Sequence, residues 1–205
     1  MKRPSRAILE TPEFAPLRRL SAPAGVQDFL DRIPINKERH GETCMSPLLS
    51  LRRNRAHCLE GALLAALALW IQGRPPLLMD LKTTTDDVDH VVALFENRGH
   101  WGAITKTNHG VLRYREPMFR DLRELAASYF HEYSLPNGKK TLRSFSAPYD
   151  LRAYRGDWVT ATDPLWPLER AIDRAPHTRL LTRRQIAGLR RADAIEIEVG
   201  KLTEW

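Results

Sequence analysis

The chain has 205 residues, of which 42% are apolar and 28% charged, and its net charge is +7. These values are ordinary for a globular protein and allow one sizeable core. The longest apolar stretch, 61–71, is too short to span a bilayer. The basic start of the chain is not followed by the apolar segment of a signal peptide. We therefore expect a cytoplasmic protein with no membrane partner.

The chain contains two cysteines, Cys44 and Cys58. In a cytosolic chain a disulfide between them is not expected. No pair of closely spaced cysteines or array of histidines predicts a zinc site, so we expect neither a metal nor an organic cofactor. The densest basic run, 179–191, is typical of a solvated helix face. Nucleic-acid binding is the less favoured interpretation of this run.

The first part of the chain is predicted to be helical after a loose start. Four prolines before residue 25 predict an extended arm over residues 1–25. Ser46 as N-cap and Pro47 at the first helical position mark the start of one helix. A strongly apolar helix begins at Cys58. The predicted helices are 26–33, 46–53 and 58–72.

The middle of the chain predicts an antiparallel sheet. A short buried strand is expected at 77–81, after two prolines. Strands at 90–95 and 101–106 flank the turn signal Asn97-Arg-Gly99 and therefore predict a hairpin. An alternating stretch at 110–115 is a further candidate strand.

The last third is predicted to be mixed. Helices are expected at 121–133, 164–172 and 182–191, a strand or irregular segment at 139–146, and a final strand at 194–199. The complete pattern predicts an α+β fold in which N-terminal helices pack on an antiparallel β-sheet. We divide it into the arm at 1–25, a core at 26–135 and a mixed C-terminal extension at 136–205.

Cys58 stands at the leading edge of its apolar helix instead of inside it. Unpaired N–H groups and the helix dipole at that position favour the thiolate, which is the nucleophilic form of cysteine. Thirty-two residues later, His90 heads a predicted strand. This order of cysteine and histidine is expected of one large group of thiol enzymes. The alternatives are a buried first-turn cysteine and a structural histidine.

Three further residues are candidates for the site. His57 can lower the pKa of the adjacent thiol or cap the helix, although neighbouring helical residues point to different faces. Asp89 can raise the pKa of His90 or help bind a cation, or it can be a solvated loop carboxylate. Trp101 can contact substrate or belong to the core.

These pieces and their order resemble the transglutaminase-like superfamily, whose members are related to papain. The likeness extends from residue 26 to about residue 106. It rests on a lead-in helix, a Ser-Pro-led helix, the cysteine helix, the bend at 73–76, the strand at 77–81, Asp89-His90 and Gly99-His-Trp101. The resemblance implies a papain-like/transglutaminase-like core, with Cys58 as nucleophile, His90 as general base and Trp101 beside the site. It also implies that the Cys58 N–H helps stabilise an oxyanion.

The third catalytic residue of that family is usually an aspartate a few residues after the tryptophan. Residues 102–108 contain no aspartate. Counting cross-strand partners around the hairpin places Thr105 about opposite His90. Asn108 carries an amide that can orient an imidazole, as in Cys-His-Asn arrangements. Spacing favours Thr105 and chemistry favours Asn108, so both remain candidates.

Two functions are compatible with this sequence. The first is thiol-dependent acyl transfer, either amide or thioester hydrolysis or transamidation, on a protein, peptide or small acyl substrate. The second is a catalytically inactive binding or scaffold domain on the same fold, motivated by the missing aspartate. A reactive Cys58 would distinguish the first from the second. The sequence indicates no oligomeric state.

Overall fold

The computed structural model describes residues 4–204 and shows an α+β fold. Seven strands form one antiparallel sheet, with helices packed on both of its faces. The strands are β1 (Leu77–Lys82), β2 (His90–Asn97), β3 (His100–Ile104), β4 (Arg115–Phe119), β5 (Ser144–Ser146), β6 (Tyr149–Asp150) and β7 (His177–Arg179). The α-helices are α1 (Arg6–Glu10), α2 (Ala15–Arg18), α3 (Pro23–Asp31), α4 (Pro47–Arg53), α5 (Cys58–Ile71), α6 (Leu122–Ala127), α7 (Trp166–Asp173), α8 (Arg183–Ala187) and α9 (Ala194–Lys201).

The start of the chain is helical, which differs from the expected extended arm. A 3₁₀ turn at Pro12–Phe14 joins α1 to α2. Most of the prolines lie in the first turns of these short helices, where the missing N–H of proline breaks no hydrogen bond. Phe14 and Leu17 are fully buried, so this segment is part of the core. Residues 1–3 of the predicted arm lie outside the described residues.

Helix α5 is the centre of the larger core. Residues 59–69 of this helix are all buried, which is typical of a helix enclosed by protein on every side. The helix packs on one face of the sheet against β1 and β2, and α3 and α4 cover its other sides. Its start and end confirm the prediction from sequence. In the described part of the chain, no helix has the length and apolar character needed to cross a membrane.

The β2–β3 hairpin confirms the prediction but turns one residue later than counted. Asn97 pairs with His100, and Arg98 and Gly99 form the turn with φ angles of 52° and 82°. The positive angles are those of a tight type I′ turn, whose second position favours glycine. The register continues to the pair of Ala93 and Ile104. If the same register continued, Thr107 would lie opposite His90. Counting from the sequence placed Thr105 there because it assumed a turn centred one residue too early.

The C-terminal third is built into the sheet and is not a separate layer on a finished core. Strands β5 and β6 both pair with β1, and β7 pairs with β5. The sheet order is therefore β4-β3-β2-β1-β5-β7, with strands from the last third on one side of β1. Helix α7 packs beside β1 and borders the candidate site.

Two predicted strands have another structure. The segment 194–199 alternates in sequence but forms the helix α9. Asp193 caps that helix by accepting from the Glu196 N–H, and the Glu196 side chain accepts from the Asp193 N–H. This capping box overrides the alternation. The candidate strand at 110–115 is irregular, and strand β4 begins only at Arg115.

Candidate active site

The N-terminus of α5 carries Cys58 in its first turn. The preceding residue, His57, is the N-cap and has extended backbone angles, with φ −90° and ψ −173°. His57 is not part of the helix itself. The expectation that adjacent helical side chains point to different faces therefore does not apply to His57 and Cys58. The first N–H groups of a helix have no intrahelical acceptor, so the Cys58 N–H is a donor for an external group.

The imidazoles of His57 and His90 interact with the Cys58 thiol, and hydrogen bonding to each ring favours the thiolate. Burial alone would raise the pKa of this thiol, but the two hydrogen bonds and the positive charge of the rings lower the pKa to about 5. Burial opposes protonation of His57, yet bonding to Cys58 and the nearby Glu60 carboxylate raise the pKa of His57 to about 9. At neutral pH, Cys58 is therefore a thiolate and His57 an imidazolium.

Glu60 supplies a carboxylate to this site. Its side chain is fully buried and accepts hydrogen bonds from Asn36 Nδ2 at 3.0 Å and Thr43 Oγ1 at 2.7 Å. It also accepts from the N–H groups of Met45 at 2.9 Å and His57 at 3.0 Å. Its Oε1 lies 3.4 Å from His57 Nε2, which is 2.9 Å from the Thr43 carbonyl oxygen. A buried carboxylate requires partners of this kind, and together they fix its position beside the His57 ring.

His90 is the first residue of β2 and is held by Thr105. The distance between His90 Nε2 and Thr105 Oγ1 is 2.5 Å, and both side chains are buried. Because this hydroxyl engages Nε2, Nδ1 is the ring nitrogen left for the Cys58 sulfur. Thr105 therefore holds the His90 ring through a neutral hydroxyl, without the charge of a carboxylate.

Gln27 in α3 fixes the backbone of Thr105. Its Nε2 donates to the Thr105 carbonyl oxygen at 2.9 Å, and its Oε1 accepts from the Thr105 N–H at 3.0 Å. The Gln27 side chain is buried, and Nε2 also donates to Asp31 Oδ1 at 2.8 Å. Strand β3 has already ended at Ile104. The side chain of Gln27 thus provides the two backbone hydrogen bonds that a neighbouring strand would otherwise supply.

The cysteine helix and the Thr105 segment are in contact at Gly61. A Cβ on Gly61 would lie 2.2 Å from the Cβ of Lys106, so no larger residue fits without movement. Gly61 therefore permits the close approach of the two segments one turn after Cys58. Lys106 is buried, and its Nζ donates to the Leu30 carbonyl oxygen at 3.1 Å. Burial lowers the pKa of Lys106.

Asn108 does not take the orienting position. Its Nδ2 donates to the carbonyl oxygen of Glu204 at 3.4 Å, near the end of the chain. Among residues 4–204 it forms no hydrogen bond with His90, whose Nε2 is engaged by Thr105. Of the two candidates, the structure brings Thr105 and not Asn108 to the histidine.

Trp101 lies away from the site. It pairs with Glu96, six residues along β2 from His90, which corresponds to roughly 20 Å at the rise of a strand. Its ring packs against the smaller core cluster on the sheet face opposite α5. Of the two interpretations of Trp101, the structure favours the core, since the hairpin places it near the turn and the site near the open end.

Asp89 is at the site and also braces the loop before β2. Its Oδ1 accepts from the Thr83 N–H at 2.7 Å and from Thr83 Oγ1 at 3.0 Å. Its Oδ2 lies 3.1 Å from Lys82 Nζ, which also pairs with Asp173. Carboxylate oxygens of Asp80, Asp89 and Asp173 lie within 4.8 Å of one another. Such a trio can hold a cation, and the Lys82 ammonium provides the positive charge within it.

Cys58 borders two cavities. One has a volume of about 430 Å³ and is here named the acidic cavity. Its carboxylates are Glu38, Glu42, Asp80, Asp89, Glu169 and Asp173. The other, of about 300 Å³, includes His90 and Lys106 and is here named the mixed cavity. Val88 and Asp89 also border both cavities, and Val88 is 78% exposed. Because Cys58 lines both cavities, its sulfur can be reached through either of them.

Sequence reasoning did not identify Glu60 or Gln27 as site residues. A signal for Glu60 exists, because it is the third helical residue after the N-cap, from which a carboxylate bonds back to the N-cap N–H. Gln27 has no comparable signal, since its contact with Thr105 joins residues 78 positions apart.

The arrangement has the parts of a nucleophilic site: a thiol of lowered pKa, two imidazoles, and a helix N–H for an oxyanion. No protein-family model matches this chain, and no curated protein is significantly similar to it.

Proposed function

We propose that the protein catalyses thiol-dependent acyl transfer on an amide or thioester of a peptide or protein substrate. The observation that carries this proposal is the thiol of Cys58, whose pKa is lowered to about 5 between two imidazoles at a helix N-terminus, beside open cavities. A structural cysteine needs none of these features, and burial without cations would raise its pKa.

In the first step, the Cys58 thiolate attacks the carbonyl carbon and forms a new C–S bond. The oxygen gains negative charge, which the Cys58 N–H stabilises. His90 donates a proton to the leaving amine or thiol as its bond to carbon breaks. Thr105 keeps the His90 ring in the orientation needed for this transfer.

In the second step, water or an amine attacks the acyl-enzyme. His90, now neutral, removes the proton of the attacking group, and the C–S bond breaks to return the Cys58 thiolate. Hydrolysis and transamidation share this route and differ only in the attacking group. The imidazolium of His57 remains charged through both steps and stabilises the thiolate.

The order of the parts supports a transglutaminase-like or papain-like core for this reaction. Cysteine at the start of a buried helix, histidine at the start of a strand, and an orienting residue after the next strand follow one another here. The site departs from the transglutaminase-like pattern in the position of its carboxylate. This carboxylate comes from Glu60, acts on His57 and lies on the cysteine helix, whereas the residue that orients His90 is neutral.

An acylation experiment tests the proposal. Native protein is mixed with p-nitrophenyl acetate, and nitrophenolate release and the mass of the Cys58 peptide are followed together. We expect a burst of one equivalent, one acetyl group on Cys58, and its removal over time in water or faster with added amine. The variant C58S should show no burst, and H90Q should accumulate acetyl-enzyme because its deacylation is slow. Absence of acylation at Cys58 in the folded protein would favour an inactive binding domain.

A further inference from the structure

The carboxylates of the acidic cavity are only partly paired. Lys82 pairs with Asp89 and Asp173, and His177 Nε2 lies 3.1 Å from Asp80 Oδ2. Glu42 and Glu169 form no ion pair with any residue in the range 4–204. Negative charge is thus in excess at this cavity, although the chain as a whole has a net charge of +7.

Most of the other residues that line the acidic cavity are apolar, and one of them is aromatic. Trp166 and Glu169 lie three residues apart on α7, on neighbouring positions of one helix face, and both line the cavity. Apolar side chains complete the wall: Leu59, Val88, Val91 and Ile172. An indole beside carboxylates attracts a cation, and an apolar wall suits a hydrocarbon stem.

The cavity is continuous with the nucleophile. Cys58 and His57 are both among its lining residues, so a group bound there lies close to a carbonyl under attack by the thiolate. We propose that the acidic cavity binds a lysine or arginine side chain of a peptide substrate, adjacent to the carbonyl that Cys58 attacks. This inference rests on the proposed function and names the substrate class of the same site.

The bound cation is a recognition group and not the attacking amine. Carboxylates stabilise the protonated form of an amine and raise its pKa, which removes the lone pair needed for attack. The acceptor, water or a second amine, therefore enters by the mixed cavity. That cavity includes His90, the residue that takes the proton of the acceptor in the second step.

The first test measures the charge preference of Cys58 without requiring acyl transfer. Three methanethiosulfonate reagents of similar size, carrying a trimethylammonium, a hydroxyl or a sulfonate group, are reacted with the native protein and with glutathione. We expect the cationic reagent to modify Cys58 about tenfold faster than the neutral one, relative to glutathione, and the anionic reagent to be slower. Equal relative rates for the three reagents would overturn the inference.

Matched charge variants locate the preference. The double variant E42Q/E169Q should reduce the cationic preference severalfold, because it removes the unpaired carboxylates of the cavity. The control E116Q makes the same kind of change at an exposed residue of β4, outside both cavities, and should leave the preference unchanged. An equal effect of both changes would show a general surface field and would contradict a binding site.

A second measurement tests the side chain itself. Nα-acetyl-lysine methylamide and Nα-acetyl-norleucine methylamide differ in the ammonium group and share the hydrocarbon stem. We expect the lysine compound to protect Cys58 from iodoacetamide at concentrations about tenfold lower than the norleucine compound. Equal protection would overturn the inference. If the protein shows charge preference and protection but forms no acyl-enzyme, the cavity stands and the proposed catalysis fails.

Discussion

The two cysteines show how one carboxylate can have opposite effects in two neighbouring regions. Cys44 is 1% exposed, and burial first, then the charges of Glu60 and Glu169, raise the pKa of its thiol to about 12. Cys58 is half-buried and borders two cavities, and its pKa is lowered to about 5. The two pKa values differ because the imidazoles of His57 and His90 interact with the Cys58 thiol.

Glu60 therefore disfavours one thiolate directly and favours the other through His57. Without an intervening cation, a carboxylate repels the negative charge of Cys44. With the His57 ring between them, the same carboxylate stabilises the imidazolium that stabilises the Cys58 thiolate. The pKa of each thiol is thus set by the charged groups around its sulfur together with burial.

The largest expected effect is the difference in reactivity between the two thiols. At pH 7 the Cys58 peptide should be labelled by iodoacetamide at least about a thousandfold faster than the Cys44 peptide in the folded protein. The rate at Cys58 should rise with pH through a midpoint near 5, because the thiolate forms as the proton leaves. Peptide mass spectrometry resolves both sites, with labelling in denaturant as the control. Similar native rates at the two sites would contradict the comparison.

Replacing Glu60 should change the pKa of both cysteines. In E60Q the amide group meets the donors that bond to the carboxylate, so we expect a loss of roughly 3 kcal/mol in the free energy of unfolding. In the remaining folded protein, the Cys58 pKa should rise and the Cys44 pKa should fall. Urea unfolding measures the first effect and pH-dependent labelling the second.

The control E169Q removes a charge near Cys44 from a half-buried position that forms no ion pair within residues 4–204, and it should leave the unfolding free energy within about 0.5 kcal/mol. If E60Q changed neither thiol pKa, the carboxylate would have only a structural role.

The two histidines should contribute separately to the low pKa of Cys58. Each of H57Q and H90Q is expected to raise the labelling midpoint by roughly one unit, a tenfold loss of thiolate at pH values below the midpoint. Only H90Q should also slow deacylation of the acetyl-enzyme, since His90 is the ring that transfers protons. If the labelling midpoint of both variants stayed near that of the native protein, the two imidazoles would not be the cause of the low Cys58 pKa.

The smallest expected effect is at Thr105. T105V keeps the shape of the side chain and removes the hydroxyl, so we expect deacylation to slow by about threefold to tenfold with little change in the labelling midpoint. T105S keeps the hydroxyl and should restore most of the rate. Equal losses in both variants would indicate that packing, and not the hydrogen bond to His90, determines the effect.

Local signals in the sequence predicted the elements whose ends are marked by caps and turns. Ser46 and Pro47 start α4, Cys58 follows the N-cap of α5, and a glycine turn joins β2 to β3. The predictions failed where a local pattern was ambiguous. Prolines at helix starts resembled those of a loose arm, and the alternating residues of α9 resembled a strand.

The site was only partly predictable because half of it is assembled from distant segments. Cys58 and His90 were identified from their positions at the starts of elements. Thr105 was identified from counting with a misplaced turn, and it reaches His90 because Gln27 holds the chain after β3. The carboxylates of α7 join the cavity from about a hundred residues along the chain, and no short-range pattern indicates that.

The contact between Gln27 and Thr105 has a consequence for the order of folding. Its two hydrogen bonds connect α3 to the end of a hairpin formed much later in the chain, so they cannot form until both elements are in place. The hydrogen bonds of Glu60 and His57, in contrast, join only residues between 36 and 60. During synthesis the contacts between His57 and Glu60 can therefore be made before the contact between Gln27 and Thr105. A chain interrupted before Thr105 would contain Cys58, His57 and Glu60 but would lack the hydroxyl that holds His90.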